Sequence, residues 1–189
     1  MPSRVDIANL ALLKVGQALI TTFDDDVEAA RIVKTLFDQT VDEVFAAGRW
    51  RFATRQASLG QLTGGPIWNR YVYRYALPTD PFCLWVTRAS PDDDRVAWEV
   101  QGREILTDAA TVSIEYIARL PASSDWDPLF ISALVERLAA ELAIPITNTP
   151  SLRQTLYSTY LLKLQDAAAK GSLEGTPEVI SDTILTDVR

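Results

Sequence analysis

Apolar positions recur three and four residues apart in four stretches of this sequence, and two residues apart in the stretch between the second and the third. The first stretch opens on Ser3, placed to cap a helix with Asp6 in capping-box spacing. Ile7, Leu10, Ala11 and Ala8, Leu12, Val15 supply the apolar face and Gly16 the stop, which predicts a helix over about 3–15. The acids Asp24, Asp25 and Asp26 suit the positive end of a second helix. Ala29, Ile32, Val33, Leu36, Phe37, Thr40, Val41, Val44 and Phe45 carry it over about 25–47, and Gly48 closes it.

From Trp50 to Ala118 aromatic and β-branched residues dominate, broken by Gly64-Gly65-Pro66, Pro78, Pro81 and Pro91. Tyr71, Tyr73 and Tyr75 alternate with Val72 and Arg74 as a strand does. Phe82–Ser90, Val96–Val100, Glu104–Thr107 and Val112–Ala118 predict further short strands, with Gln101-Gly102-Arg103 as a hairpin turn. Their connections are too short for helical crossovers, so the pairing is expected to be antiparallel.

Asp127-Pro128 then starts a third helix, predicted over 127–143 with Phe130, Leu134, Arg137, Leu138 and Leu142 on related faces and Pro145 as its end. Thr149-Pro150 starts a fourth, predicted over 150–170. Leu152, Leu156, Tyr160 and Lys163 form one of its rows, Tyr157, Leu161, Leu164 and Ala168 another, and Gly171 its stop. Residues 172–189 loosen into Gly175, Pro177 and scattered acids around Val179-Ile180 and Ile184-Leu185. That is too little for a core of its own, so the segment is expected to order against a neighbour. The expected fold class is mainly α. It comprises an antiparallel bundle of about four helices with a small antiparallel β insertion at about 50–118, all within one domain of residues 1–171, and an extended C-terminal arm.

Composition narrows the chemistry. At 189 residues and 48% hydrophobic, the chain can bury a sizeable core. No run approaches the roughly 20 apolar residues that span a bilayer, and the N-terminus lacks a signal-peptide core, so synthesis in the cytoplasm and no membrane partner are expected. Cys83 is the sole cysteine and histidine is absent, which excludes an intrachain disulfide, Cys/His zinc sites and histidine-based triads. A formal net charge of −7 argues against a nucleic-acid-coating protein.

The order of these signals resembles the head-to-tail adaptors of short-tailed bacteriophages, the tail tubular protein A and tail accessory adaptor family. The likeness rests on Ile7 to Gly16, Asp24–Asp26, Trp50-Arg51-Phe52-Ala53, Tyr73 to Asp80, Glu115 to Arg119, and Asp127-Pro128-Leu129-Phe130, spread over residues 3–170. It implies a non-enzymatic virion protein of the neck, without cofactor, metal or catalytic residues. Such a protein forms a ring of about twelve copies by a repeated heterologous contact. The ring would dock on the portal, extend the channel for passing genomic DNA without reading its sequence, and offer a platform to a tail nozzle or tube protein. The same resemblance makes the arm, through Val179, Ile180, Ile184 and Leu185, the expected portal contact. Before assembly the chain is expected to be a monomer. A head-completion connector of a long-tailed phage and a tail-associated peptidoglycan hydrolase are the alternatives.

Arg49, Arg51, Arg55, Arg70 and Arg74 lie among Trp50, Phe52, Trp68, Tyr71 and Tyr73. Such interleaving can mark a nucleic-acid surface. The favoured reading is packed aromatics with arginines at contacts, with Arg49, Trp50, Arg70 and Tyr73 in a subunit or partner interface. Asp24–Asp26 and Asp92–Asp94 lack the spaced ligands and closing Glu of a calcium loop. Asp42 with Glu43, or Glu136 with Glu141, could supply the carboxylate pair of a hydrolase, but surface helices carry such pairs routinely. Cys83, within Phe82-Cys83-Leu84-Trp85-Val86, reads as a buried inert thiol.

Overall fold

Ser3 caps the first helix: its hydroxyl accepts the Asp6 N–H at 3.1 Å, and the Asp6 carboxylate accepts the Ser3 N–H at 2.9 Å. The computed structural model describes residues 2–66, 71–90 and 97–173. Helix α1 (Arg4–Lys14) ends where Gly16 turns to φ 71°, so that the Gln17 and Gly16 N–H groups donate back to Leu12 and Leu13. Helix α2 (Glu28–Ala47) begins at Glu28 and not at Asp25. The Asp25 carboxylate instead closes the preceding turn, accepting from the Thr21 and Thr22 N–H groups at 2.6 and 3.2 Å, while Asp24 and Asp26 pair with Lys34 and Arg31.

Helix α3 (Pro128–Thr147) is capped by the Asp127 carboxylate, which accepts the Leu129 N–H at 2.7 Å. It runs past Pro145, its predicted end, because a proline in the last turn forfeits only one bond, that to the Glu141 carbonyl. Asn148 at φ 50° ends it instead. Helix α4 (Pro150–Leu173) likewise passes through Gly171, whose missing side chain leaves open space.

Among the described residues six strands follow α2: β1 (Thr54–Ser58), β2 (Tyr73–Ala76), β3 (Cys83–Ser90), β4 (Trp98–Gln101), β5 (Glu104–Thr107) and β6 (Ser113–Ala118). They form two three-stranded antiparallel sheets among the described residues, ordered β1-β6-β3 and β2-β5-β4. A two-residue loop, Gly102-Arg103, joins β4 to β5 with Gly102 at φ 60°, the left-handed position such a hairpin requires.

The mainly-α expectation is therefore corrected: four helices and two sheets make an α+β fold, not a helical bundle with a small insertion. Two causes account for the difference. Strand β1 reads Thr-Arg-Gln-Ala-Ser, without large apolar alternation, and becomes a strand by pairing with β6 far along the chain. The sheets also contribute to the main core: Val86, Ile105, Ile114, Tyr116 and Ile117 are buried in the same cluster as Phe37, Phe45, Leu134 and Leu138. Helix α3 lies at the centre of the helical layer, packed against α1, α2 and α4, and α2 carries the first sheet through β3 and β6. No described helix is long and apolar enough to cross a membrane.

Candidate functional site

Gly48 determines the geometry at the end of α2. A Cβ there would lie 2.8 Å from Trp50 Cε2, so only glycine lets the indole fold back under the helix end. Trp50 Nε1 donates to the Val44 carbonyl at 2.7 Å, satisfying one of the acceptors that a helix leaves open at its C-terminus. The ring meets Phe130 edge-on at 5.1 Å. Trp50, expected at an interface, is thus buried inside the subunit.

With Trp50 turned inward, its neighbours turn outward. The exposed Arg49 holds its guanidinium 5.9 Å over the Trp85 ring. Arg51 follows in a single 3-10 turn and Arg55 on β1, both exposed. The three arginines border a groove of about 870 Å³ between β1 and the end of α4, whose far wall includes Leu164, Ala167 and Gly171. Glu115 is the acid in its lining, and it receives hydrogen bonds from Thr87 at 3.2 Å and Gln56 at 3.4 Å. Arg55 donates to the Phe52 and Thr54 carbonyls at 3.0 and 2.8 Å, and among the described residues neither Arg49 nor Arg55 forms an ion pair with a carboxylate. The groove is consequently electropositive on a chain that is acidic overall.

The open edges of the two sheets border a second, smaller groove of about 340 Å³. Cys83 and Leu84 contribute from β3, and Trp98 and Val100 from β4. Trp85, Trp98 and Val100 each keep about two-fifths of their surface exposed, unusual for side chains this apolar. On the helical layer Leu10 and Leu13 of α1 and Tyr157, Leu161 and Leu162 of α4 are exposed as well. The tryptophans thus divide: Trp50 and Trp126 are core, while Trp85 and Trp98 face outward.

Tyr73 is half-buried on β2, opposite Thr107, in the sheet that does not contain β1. The structure therefore does not gather Arg49, Trp50 and Tyr73 into one patch. Arg70, Trp68, Asp92–Asp94 and the arm residues Val179, Ile180, Ile184 and Leu185 lie outside the described residues.

Each carboxylate considered for hydrolysis is held by a base. Asp42 binds Arg119, Glu43 binds Arg137 at 2.7 Å, and Glu141 binds Arg137. Glu136 is buried, with its Oε1 accepting Lys163 at 2.7 Å and Lys14 at 3.0 Å. Burial pushes the Glu136 carboxyl up, but the hydrogen bonds and charges of Lys163 and Lys14 outweigh it and hold the group below its ordinary range. A general acid needs the opposite displacement. Sequence reasoning missed this triad, although a signal was there: α3 is mostly apolar, and an acid on its buried side has to find a cation.

Cys83 is buried, and desolvation pushes its thiol up. Among the described residues no group of three His, Cys, Asp or Glu is placed to hold a metal. No family model matches the chain, and no curated protein is significantly similar to it.

Proposed function

We propose that the chain is a ring-forming structural adaptor of a bacteriophage neck, acting by assembly and not by turnover. The observation that carries the reading is that large apolar side chains are exposed in two unlike places, on the helices α1 and α4 and at the sheet edges around Trp85, Trp98 and Val100. A ring closed by head-to-tail contacts needs two different patches on each subunit, whereas an isologous dimer needs one. Exposed apolar groups that gather into a patch mark a surface that a partner covers. The order of motifs from Ile7 to Phe130 supports the same reading.

In this role about twelve copies surround the channel beneath the portal. The arm residues Val179, Ile180, Ile184 and Leu185 dock on the portal, and the far face receives a tail nozzle or tube protein. A net charge of −7 per copy, summed around the ring, repels phosphate and lets the genome pass without adhering. The test is electron microscopy of the purified chain mixed with the portal protein of its phage. A ring stacked on the portal is the expected outcome. A chain that never associates with portal, at any concentration where both stay soluble, overturns the reading.

A further inference from the structure

The arginine-bordered groove is built for an acidic, extended peptide. We propose that its occupant is the chain's own C-terminal segment, residues 174–189, docked on the subunit it belongs to. Three observations converge on this. The segment carries Glu174, Glu178, Asp182 and Asp187 against a single Arg189, and among the described residues the groove presents Arg49 and Arg55, neither ion-paired to a carboxylate, against one already hydrogen-bonded acid, Glu115. It also begins at the right place, since Gly171 is part of the groove wall and Glu174 follows three residues on. The groove floor adds a third match. Strand β1 is the edge of its sheet, paired among the described residues with β6 alone, so its outward N–H and C=O groups can accept another strand.

The segment has the composition such a strand requires. Val179, Ile180, Thr183, Ile184, Thr186 and Val188 are β-branched, and the apolar wall of Ala47, Leu164 and Ala167 can cover one side of it. A tether of a few residues gives an effective concentration on the order of millimolar, so a contact too weak to hold a free peptide is sufficient in cis. This inference does not depend on the adaptor role. If that role holds, portal docking requires the segment to leave its own groove first, which gives a reason for the chain to stay monomeric until it meets the portal.

Amide hydrogen exchange on the full chain provides the test, comparing it with a full-length Glu174→Lys/Glu178→Lys variant. Both changes lie outside the described residues, and unchanged thermal unfolding is the control. Exchange across Thr54–Ser58 is expected to quicken about fivefold or more in the variant, and to quicken similarly for the unaltered chain in molar salt. A second experiment pairs Gln56→Cys with Glu178→Cys under mild oxidation; the native Cys83 thiol is buried and does not compete. An intrachain disulfide at micromolar protein is the expected product. Covalent dimers would place the segment on a neighbouring copy and overturn the cis assignment. Exchange unchanged by the charge reversal would overturn the docking itself.

Discussion

Two junctions hold α3 in place, and they use opposite chemistry. Where α3 meets α2 and the 3-10 turn that follows α2, Phe45, Trp50, Phe52, Trp126 and Phe130 pack with centroids 4.3 to 6.2 Å apart. Even the polar edges are used there, Trp126 Nε1 donating to the Leu120 carbonyl at 2.9 Å. Where α3 meets α1 and α4, the buried Glu136 draws in Lys14 and Lys163, and its Oε2 has no hydrogen-bond partner among the described residues. The aromatic junction gains by removing apolar area from water and holds no group that titrates between about pH 2 and 9. The ionic junction must offset a desolvation cost with two cations that remain about one-third exposed. The difference makes α1 and α4 the helices whose contact with α3 is partly ionic. They are also the helices with exposed apolar side chains, where a partner would have to bind.

Breaking the aromatic junction is expected to cost most. Phe130→Ala leaves a cavity ringed by four aromatic side chains and should lower unfolding stability by about 4 kcal/mol, read from urea melts. A loss below about 1 kcal/mol would mean that the cluster is not packed as described.

Breaking the ionic junction comes next. Glu136→Ala strands two lysines that can partly rehydrate, so the expected loss is about 3 kcal/mol, at the lower end for a buried pair. Its pH dependence sharpens the contrast. The folded carboxyl titrates below its ordinary value of 4.5, so its stabilisation is fully present above that pH and is lost as pH falls through the lower folded value. Stability of the unaltered chain should therefore fall more steeply below pH 4.5 than that of Glu136→Ala. Parallel curves would show that Glu136 is not charged and paired in the native state.

Removing one cation tests whether the triad shares its load. Lys163→Ala leaves Lys14 on Glu136, so a loss of about 1 kcal/mol is expected, and the double variant with Lys14→Ala should lose more than the sum of the singles. Strict additivity would argue against a common acceptor. The smallest effect is local: Ser3→Ala removes the cap of α1 and should cost about 1 kcal/mol. If α1 is held mainly by the ionic junction, that loss should shrink once Glu136 is already replaced.

What could be read from the chain before folding was mostly what is local. Ser3 with Asp6, Gly16, Gly102 and Asp127-Pro128 act on residues within a few positions of themselves, and each was found where expected. Helix ends set by competition were misjudged: Pro145 and Gly171 disfavour a helix locally, but both helices run past them. Strand β1 was missed because nothing in Thr-Arg-Gln-Ala-Ser announces a strand, and its pairing partner lies beyond an entire second sheet. Of the expected interface residues, Arg49 does face outward, beside a groove whose far wall comes from α4. Trp50 does not, because an aromatic beside an arginine carries no sign of which one will face the solvent.

Residue order alone was enough for the order of the described helices, the β character of the middle third and the exclusion of an intrachain disulfide and of histidine chemistry, since periodicity and composition need no third dimension. Tertiary structure alone decided that the strands form two sheets sharing the helices' core, that Gly48 turns Trp50 inward, that Glu136 meets two lysines from other helices, and that three arginines face the end of α4. Those outcomes depend on which distant surfaces meet, and burial fixes the energies of charged and aromatic groups only once they do.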